Sequence, residues 1–338
     1  MSVSWKHVLL SFLCIGFLAS LLISLYALQL ILLPARTPGQ TVHVHIKPGQ
    51  SFAQIAASLE EKEVIDNPRI FQMLAVCFKL SANLRAGEYE LNTGWSRLEI
   101  LRALAGGSHI LYTLRIPEGL SWRQTARTAA QSGLTTYADF QKTVQNHDLL
   151  AEFNIPADTA EGYLFPETYH LPRPEENQAE PIIRLMLQEF QNQIQDIIPP
   201  QEQPDPQEIH DLVTLASLVE KETGQPGERR TVAGVLVNRL QRGMRLQCDP
   251  TVIYGLGRNF DGNLTRKHLQ DSSNAYNTYA HAGLPPGPIC SPGLDSLRAA
   301  HDPEDHEYLY FVSKGDGSHH FSRNLKEHNR AVRLYQLR

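Results

Sequence analysis

The sequence predicts an α+β protein: an N-terminal transmembrane helix, a small αβ subdomain, and a larger mixed α+β domain. Three observations carry this. Val8 to Leu33 contains no charged residue. After it, a strand pattern, a glycine turn and a serine-capped helix recur. Further on, runs of helical periodicity mix with short strand-like runs set off by Gly and Pro. The 338 residues suffice for two to three domains, and a hydrophobic content of 42% supplies their cores. A net charge of −5 without a broad basic surface excludes nucleic acid as a partner.

The uncharged run is long enough to cross a bilayer of ~30 Å as a helix. A cleaved signal peptide would have an apolar region of ~7–15 residues and a small-x-small cleavage site. Here the run is longer and ends in Leu33-Pro-Ala-Arg36, so it reads as an uncleaved anchor over 8–33. Lys6 and the terminal amine flank it on one side and Arg36 on the other. A flank as short as 1–7 stays readily in the cytoplasm, which places the bulk of the chain outside. Residues 34–40 read as a linker.

Residues 41–110 form the small subdomain. Thr41-Val-His-Val-His-Ile46 alternates as a strand does. Gly49-Gln-Ser51, Gly94-Trp-Ser96 and Gly119-Leu-Ser121 each open a helical pattern with the serine as N-cap. Apolar or small residues return at matching offsets: Ile55 and Leu59, Ile100 and Leu104, Thr125 and Ala129. The third copy follows another strand pattern, Leu111-Tyr-Thr-Leu-Arg-Ile116. Units of this kind resemble LysM modules, which bind N-acetylated glycans. The other reading is an αβ scaffold without a ligand.

The larger domain spans 111–338, with its core at 205–338. Pro181 to Ile198 reads as an amphipathic helix and Pro199 to Pro206 as a connector. In the next helix Ile209, Val213 and Ala216 form an apolar stripe, and Glu220 continues it. Glu222 turns about 200° away, toward water. Gly224 stops the helix, so Glu220 lies near the negative end of its dipole. A poorly solvated carboxyl so placed resists ionising and can act as a general acid. Alternatively its stem packs while its head reaches solvent or an arginine. A second helix carries Val232, Val235, Leu236 and Leu240. Then come Asp249 to Gly255, the loop Tyr276-Asn-Thr-Tyr279, and the Gly/Pro-rich segment 283–293. Glu307 to Val312 reads as a strand, Gly315-Asp-Gly317 as a turn, and Asn324 to Gln336 as a terminal helix.

Ordinary glycosidases use two carboxyls, and the candidate partners for Glu220 are Glu161, Glu167, Glu222 and Asp249. Asp249, before a proline, also suits a turn or cap. Tyr276, Asn277, Thr278 and Tyr279 suit a sugar, by ring stacking and by bonds to its hydroxyl and acetamido groups. They equally suit a polar loop with structural tyrosines. His319 and His320 are adjacent, yet no metal-ligand spacing is present, so no metal is expected. Gly-x-Ser-x-Gly nucleophile motifs are absent. Cys248 and Cys290 could pair outside the cytoplasm or remain free thiols.

Several segments together resemble the endolytic murein transglycosylases, the YceG-like family of membrane-anchored peptidoglycan lyases. They are Glu161-Gly-Tyr-Leu-Phe-Pro-Glu-Thr-Tyr169, Leu215-Ala-Ser-Leu-Val-Glu-Lys-Glu-Thr223, Val235-Leu-Val-Asn-Arg-Leu240, Leu246 to Gly255, Tyr276 to Tyr279, Gly283 to Pro288 and Glu327-His-Asn329. The resemblance runs from the anchor to the C-terminus. Glu167 stands where Asp is common in the family, and Ser291 where Asn is.

The resemblance implies that Glu220 is the single catalytic glutamate. It would protonate the glycosidic oxygen, then take the proton from the 6-hydroxyl of N-acetylmuramic acid as that hydroxyl attacks its own anomeric carbon. The substrate's nucleophile would replace a second carboxylate. Substrate contacts are expected from Tyr163, Glu167, Tyr169, Asn238, Asp249, Thr251, Tyr276, Asn277, Thr278 and Tyr279. No cofactor is implied. The implied place is the bacterial inner membrane, single-pass with the bulk in the periplasm. The implied partners are peptidoglycan glycan strands and the synthases that make them. A non-catalytic glycan-binding scaffold and a muramidase-type hydrolase are the competing readings.

Overall fold

Two compact units, 1–112 and 113–338, make up the chain. The structure is a computed structural model that describes residues 5–34, 39–47, 49–81, 84, 86–107, 110–174, 178–199 and 204–337; for 6–12, 27 and 30 it describes the backbone alone. Parts of the expected tail (1–4), linker (35–38) and connector (200–203) lie outside the described residues.

The first unit begins with helix α1, Trp5–Leu32. Its longest run of described side chains is 13–26, all of them exposed. Among the described residues no helix is long and apolar enough to cross a membrane. There follow β1 (Thr41–Ile46), α2 (Phe52–Glu61), α3 (Pro68–Cys77), β2 (Gly87–Asn92) and α4 (Arg97–Gly106). β1 and β2 pair antiparallel, with Val44 opposite Tyr89. Val44, Ile46, Tyr89 and Leu91 face inward at every second position, as the strand period demands. Sequence reading did not name β2, although Tyr89 and Leu91 alternate there with Glu88 and Glu90. Ser51 and Ser96 close capping boxes with Gln54 and Glu99, and Ile55, Leu59, Ile100 and Leu104 enter one core with Phe71.

The second unit holds β3 (Tyr112–Arg115), which starts on the last residue of the first. Then come α5 (Trp122–Gln131), α6 (Tyr137–Val144), α7 (His147–Glu152), β4 (Thr168–Leu171) and α8 (Glu180–Ile197). The rest is α9 (Pro206–Glu222), α10 (Arg229–Gln241), α11 (Asp249–Leu256), α12 (Arg266–Gln270), α13 (Leu294–His301), β5 (Tyr310–Ser313), β6 (His319–Ser322) and α14 (Leu325–Tyr335). β3 pairs with β4, and β5 with β6 across the glycine turn. The expected strand over 307–312 is thus the first arm of a hairpin, and His319 and His320 lie on the second arm.

α9 is the axis of this unit. Asp205 and Glu208 close its N-terminal capping box, and Pro206 stands where its missing N–H costs nothing. Every residue from Val213 to Val219 is buried, because α10, α11 and α13 all pack against it. Near its end the helix leaves Lys221 exposed but covers much of Glu222, which is half-buried rather than turned to water. That side chain lies beside Cys248, Asp249 and His319, and burial pushes its carboxyl up to about 7. Cys248 and Cys290 are both buried and free, so they form no disulfide.

Candidate active site

The site is built where the last turn of α9 meets the segment 289–293. Ser217, on α9, accepts a hydrogen bond from the Ile289 N–H at 3.1 Å. One turn later, Glu220 Oε2 accepts from the Gly293 N–H at 3.2 Å and from Ser296 Oγ at 2.6 Å. Gly293 caps α13, so the carboxylate also sits at the positive end of that helix dipole. The loop after β3 closes the other side. Gly119 N–H donates to Ser291 O, and Ser291 N–H donates to Leu120 O. Gly119 adopts φ +73°, and a Cβ there would lie 3.6 Å from the Glu220 Cγ.

This loop brings Glu118 to the same place. A Cβ on Gly293 would come within 2.2 Å of the Glu118 carboxyl group, so a larger residue there would push that carboxyl away from its present place. Although 51% of its side chain is exposed, partial burial raises the Glu118 pKa above its ordinary value, and the neighbouring Glu220 raises it further. The Arg229 guanidinium, 3.9 Å from Glu118 and 3.3 Å from Asp295, pulls the other way. Among the expected partners of Glu220, Glu222 and Asp249 lie beside Cys248, and Glu167 is exposed with its carboxylate on the Thr168 N–H.

Glu161 serves a separate cavity of about 650 Å³, lined among others by Trp122, Tyr254, Asn274 and Tyr276. Its carboxyl accepts from the Trp122 N–H and the Tyr254 hydroxyl, each at 2.9 Å. Burial nevertheless raises its pKa to about 7. A smaller hollow of about 410 Å³ is lined by Gly119 and Lys221, next to Glu220, and shares Arg123, Tyr254 and Gly257 with the larger one.

Of the expected substrate contacts, Tyr276 lines the larger cavity, its ring 4.8 Å from that of Tyr254. Tyr279 donates to Asp249 at 2.6 Å, partly open to solvent. Glu167 and Asp249 are exposed and Asn238 is half-buried, while Tyr163, Tyr169, Thr251, Asn277 and Thr278 are buried and bonded to the frame. Tyr163 bonds His210, and Tyr169 donates to Phe165 O. Asn238 holds the His306 and Tyr308 carbonyls. Thr251 and Thr278 bond each other and the Cys248 backbone. Asn277 donates to the carbonyls of His268, Leu269 and Asp271. Polar residue types alone cannot tell a loop that binds a sugar from one that binds itself. Glu118, Arg229 and Ser296 are the residues sequence reading missed. The available signal was a glutamate placed between a strand end and a turn glycine.

Residues 44–334 match the pattern of the YceG-like family. The chain belongs to this family. Among YceG-like relatives, a Bacillus subtilis protein named endolytic murein transglycosylase is 33% identical over 315 residues, which are 87% of this chain and 85% of that protein. A Streptococcus pneumoniae protein of the same name is 30% identical over 86% of this chain, which spans 58% of that longer protein. The crystal structure of a YceG-like protein from Listeria monocytogenes superposes with a TM-score of 0.58 at 33% identity, covering 86% of this chain and 99% of that one.

Proposed function

We propose that this protein is a membrane-anchored endolytic lytic transglycosylase of peptidoglycan. It cuts the bond from N-acetylmuramic acid to N-acetylglucosamine inside nascent strands and leaves an anhydro end, which terminates elongation. The names of its YceG-like relatives support the reaction class. The observation that carries the assignment to this site is Glu220, held by Ser296 and Gly293 with Glu118 beside it.

As a carboxylic acid, Glu220 carries the proton that the leaving oxygen needs. Glu220 gives that proton to the glycosidic oxygen as N-acetylglucosamine departs. It then takes the proton of the 6-hydroxyl, whose oxygen bonds to the anomeric carbon. The proton count closes and no water is consumed. Intramolecular attack carries a proximity advantage. Exclusion of water from the cleft favours the anhydro product.

The uncharged stretch Val8–Leu33, all but its last residue in α1, serves as a single-pass anchor in the bacterial inner membrane, with the bulk of the chain in the periplasm. Strands are made at that surface, next to the synthases. The LysM-like reading of 41–110 draws support from the order β1–α2–α3–β2 with its antiparallel pair; residues 111–338 are the catalytic domain.

Purified protein acting on uncrosslinked strands should release products lighter by one water than hydrolytic ones, read by mass spectrometry. Glu220→Gln should remove this activity without changing the melting temperature. Full activity in that variant refutes the assignment. A muramidase-type hydrolase is the second reading, favoured by the Glu118 carboxyl beside Glu220; water-containing products would establish it.

A further inference from the structure

We infer that the hollow beside Glu220 is a subsite for the carboxylates of the peptide stem on the muramic acid being cut. The inference rests on the substrate proposed above. Arg123, Arg127, Lys221 and Arg258 line the hollow, and no carboxylate does. Among the described residues, none of the four has an ion-pair partner. They come from separate elements. Arg123 and Arg127 lie one turn apart on α5, Lys221 is in the last turn of α9, and Arg258 follows α11. An ordinary solvated face draws its charge from one element and intersperses both signs. Here three elements bring like charges to one depression of about 410 Å³, where they repel one another unless an anion enters. Arg123 is held in place, its guanidinium carbon 4.6 Å from the Trp122 ring centroid. Lys221 is steadied by the Gly119 carbonyl at 3.3 Å.

The hollow is next to the chemistry. Gly119 lines it and also packs against Glu220. The glycan itself cannot satisfy four cations. Its sugars are neutral, and the lactyl carboxyl of muramic acid is consumed in the amide to the stem. That stem is the anionic group nearest the cut bond. It carries free carboxylates and small alkyl side chains. The hollow matches both, since Pro250, Ile253 and Ile289 form an apolar wall facing the cations. A bare phosphate would leave that wall unused. Guanidinium–carboxylate pairs also give the geometric selectivity that a point charge lacks.

The test uses the full chain in detergent, wild type and the Arg127→Gln/Arg258→Gln double variant. Both side chains are exposed, so the variant should fold, and its melting curve verifies that. Two substrates are compared: uncrosslinked strands with their stems, and the same strands stripped by an amidase. Calorimetry with a free stem tetrapeptide, and with its carboxylates amidated, reads binding without turnover. Wild type should cut stem-bearing strands with the higher kcat/KM. The ratio of the two kcat/KM values should fall by about tenfold or more in the variant, and tetrapeptide affinity should fall by about as much. Amidation should weaken binding to wild type similarly. An unchanged ratio with unchanged tetrapeptide binding overturns the subsite, whatever the product. Hydrolytic product with a falling ratio overturns the transglycosylase reading and supports the subsite.

Discussion

Glu161 should make the second unit less stable as pH rises, the reverse of a salt-bridged carboxylate. Burial lifts its pKa from 4.5 to about 7, against the lowering effect of the bonds from Trp122 and Tyr254. Between those values the folded protein keeps a proton that the unfolded chain has released. The contribution of Glu161 to stability is therefore greatest below 4.5 and falls until the folded group ionises near 7. The span from 4.5 to about 7, at ~1.4 kcal/mol per unit, amounts to roughly 3 kcal/mol. Glu222 is raised to about 7 by burial and acts with the same sign. In Glu161→Gln the carboxamide oxygen can still accept from the Trp122 N–H, and the amide NH2, in place of the second oxygen, donates to the Tyr254 hydroxyl oxygen, but nothing ionises. The other amide N–H costs about 1–3 kcal/mol if it finds no partner, equally at every pH. The measurement is denaturant unfolding across the window from 4.5 to 7, followed by Trp122 fluorescence in a background with Trp5 and Trp95 replaced by Phe. The variant should lose about half of the wild-type decline, leaving the share of Glu222. A decline identical to wild type would show that Glu161 is already ionised in the folded protein and would refute the reasoning.

Two further outcomes follow from the site. Glu118→Gln removes the carboxyl beside Glu220, so kcat should fall more than KM changes; unchanged kinetics would exclude a part for Glu118 in the reaction. Asn277→Ala should cost about 2–3 kcal/mol, because three carbonyls lose their donor, and should lower the melting temperature by roughly 4–10 °C. A changed KM with unchanged melting would instead make Asn277 a sugar contact.

Much of the fold was legible in the residues. The serine caps, the inward offsets of Ile55, Leu59, Ile100 and Leu104, and the extent of α8, α10 and α14 all follow from local chemistry and from periods that neighbours impose on each other. Glu220 was legible as an acid near the end of an apolar helix. Its neighbour Glu222 was not, because a helix period predicts which residues share a face and not how many faces the fold will cover. The loop 276–279 shows the same limit, since Asn277 and Thr278 spend their hydrogen bonds on the backbone around them.

By itself, the sequence determines the order of elements, their caps and turns, and the family motifs that single out Glu220. Those depend on residues within a few positions of each other, or on residue identity alone. Only the tertiary structure decides what surrounds Glu220. Glu118 lies 102 positions before it in the chain and Ser296 lies 76 after it, and the four cations of the adjoining hollow come from three separate helical regions. Contacts between distant segments are set by how α9 is enclosed, and no local period encodes them.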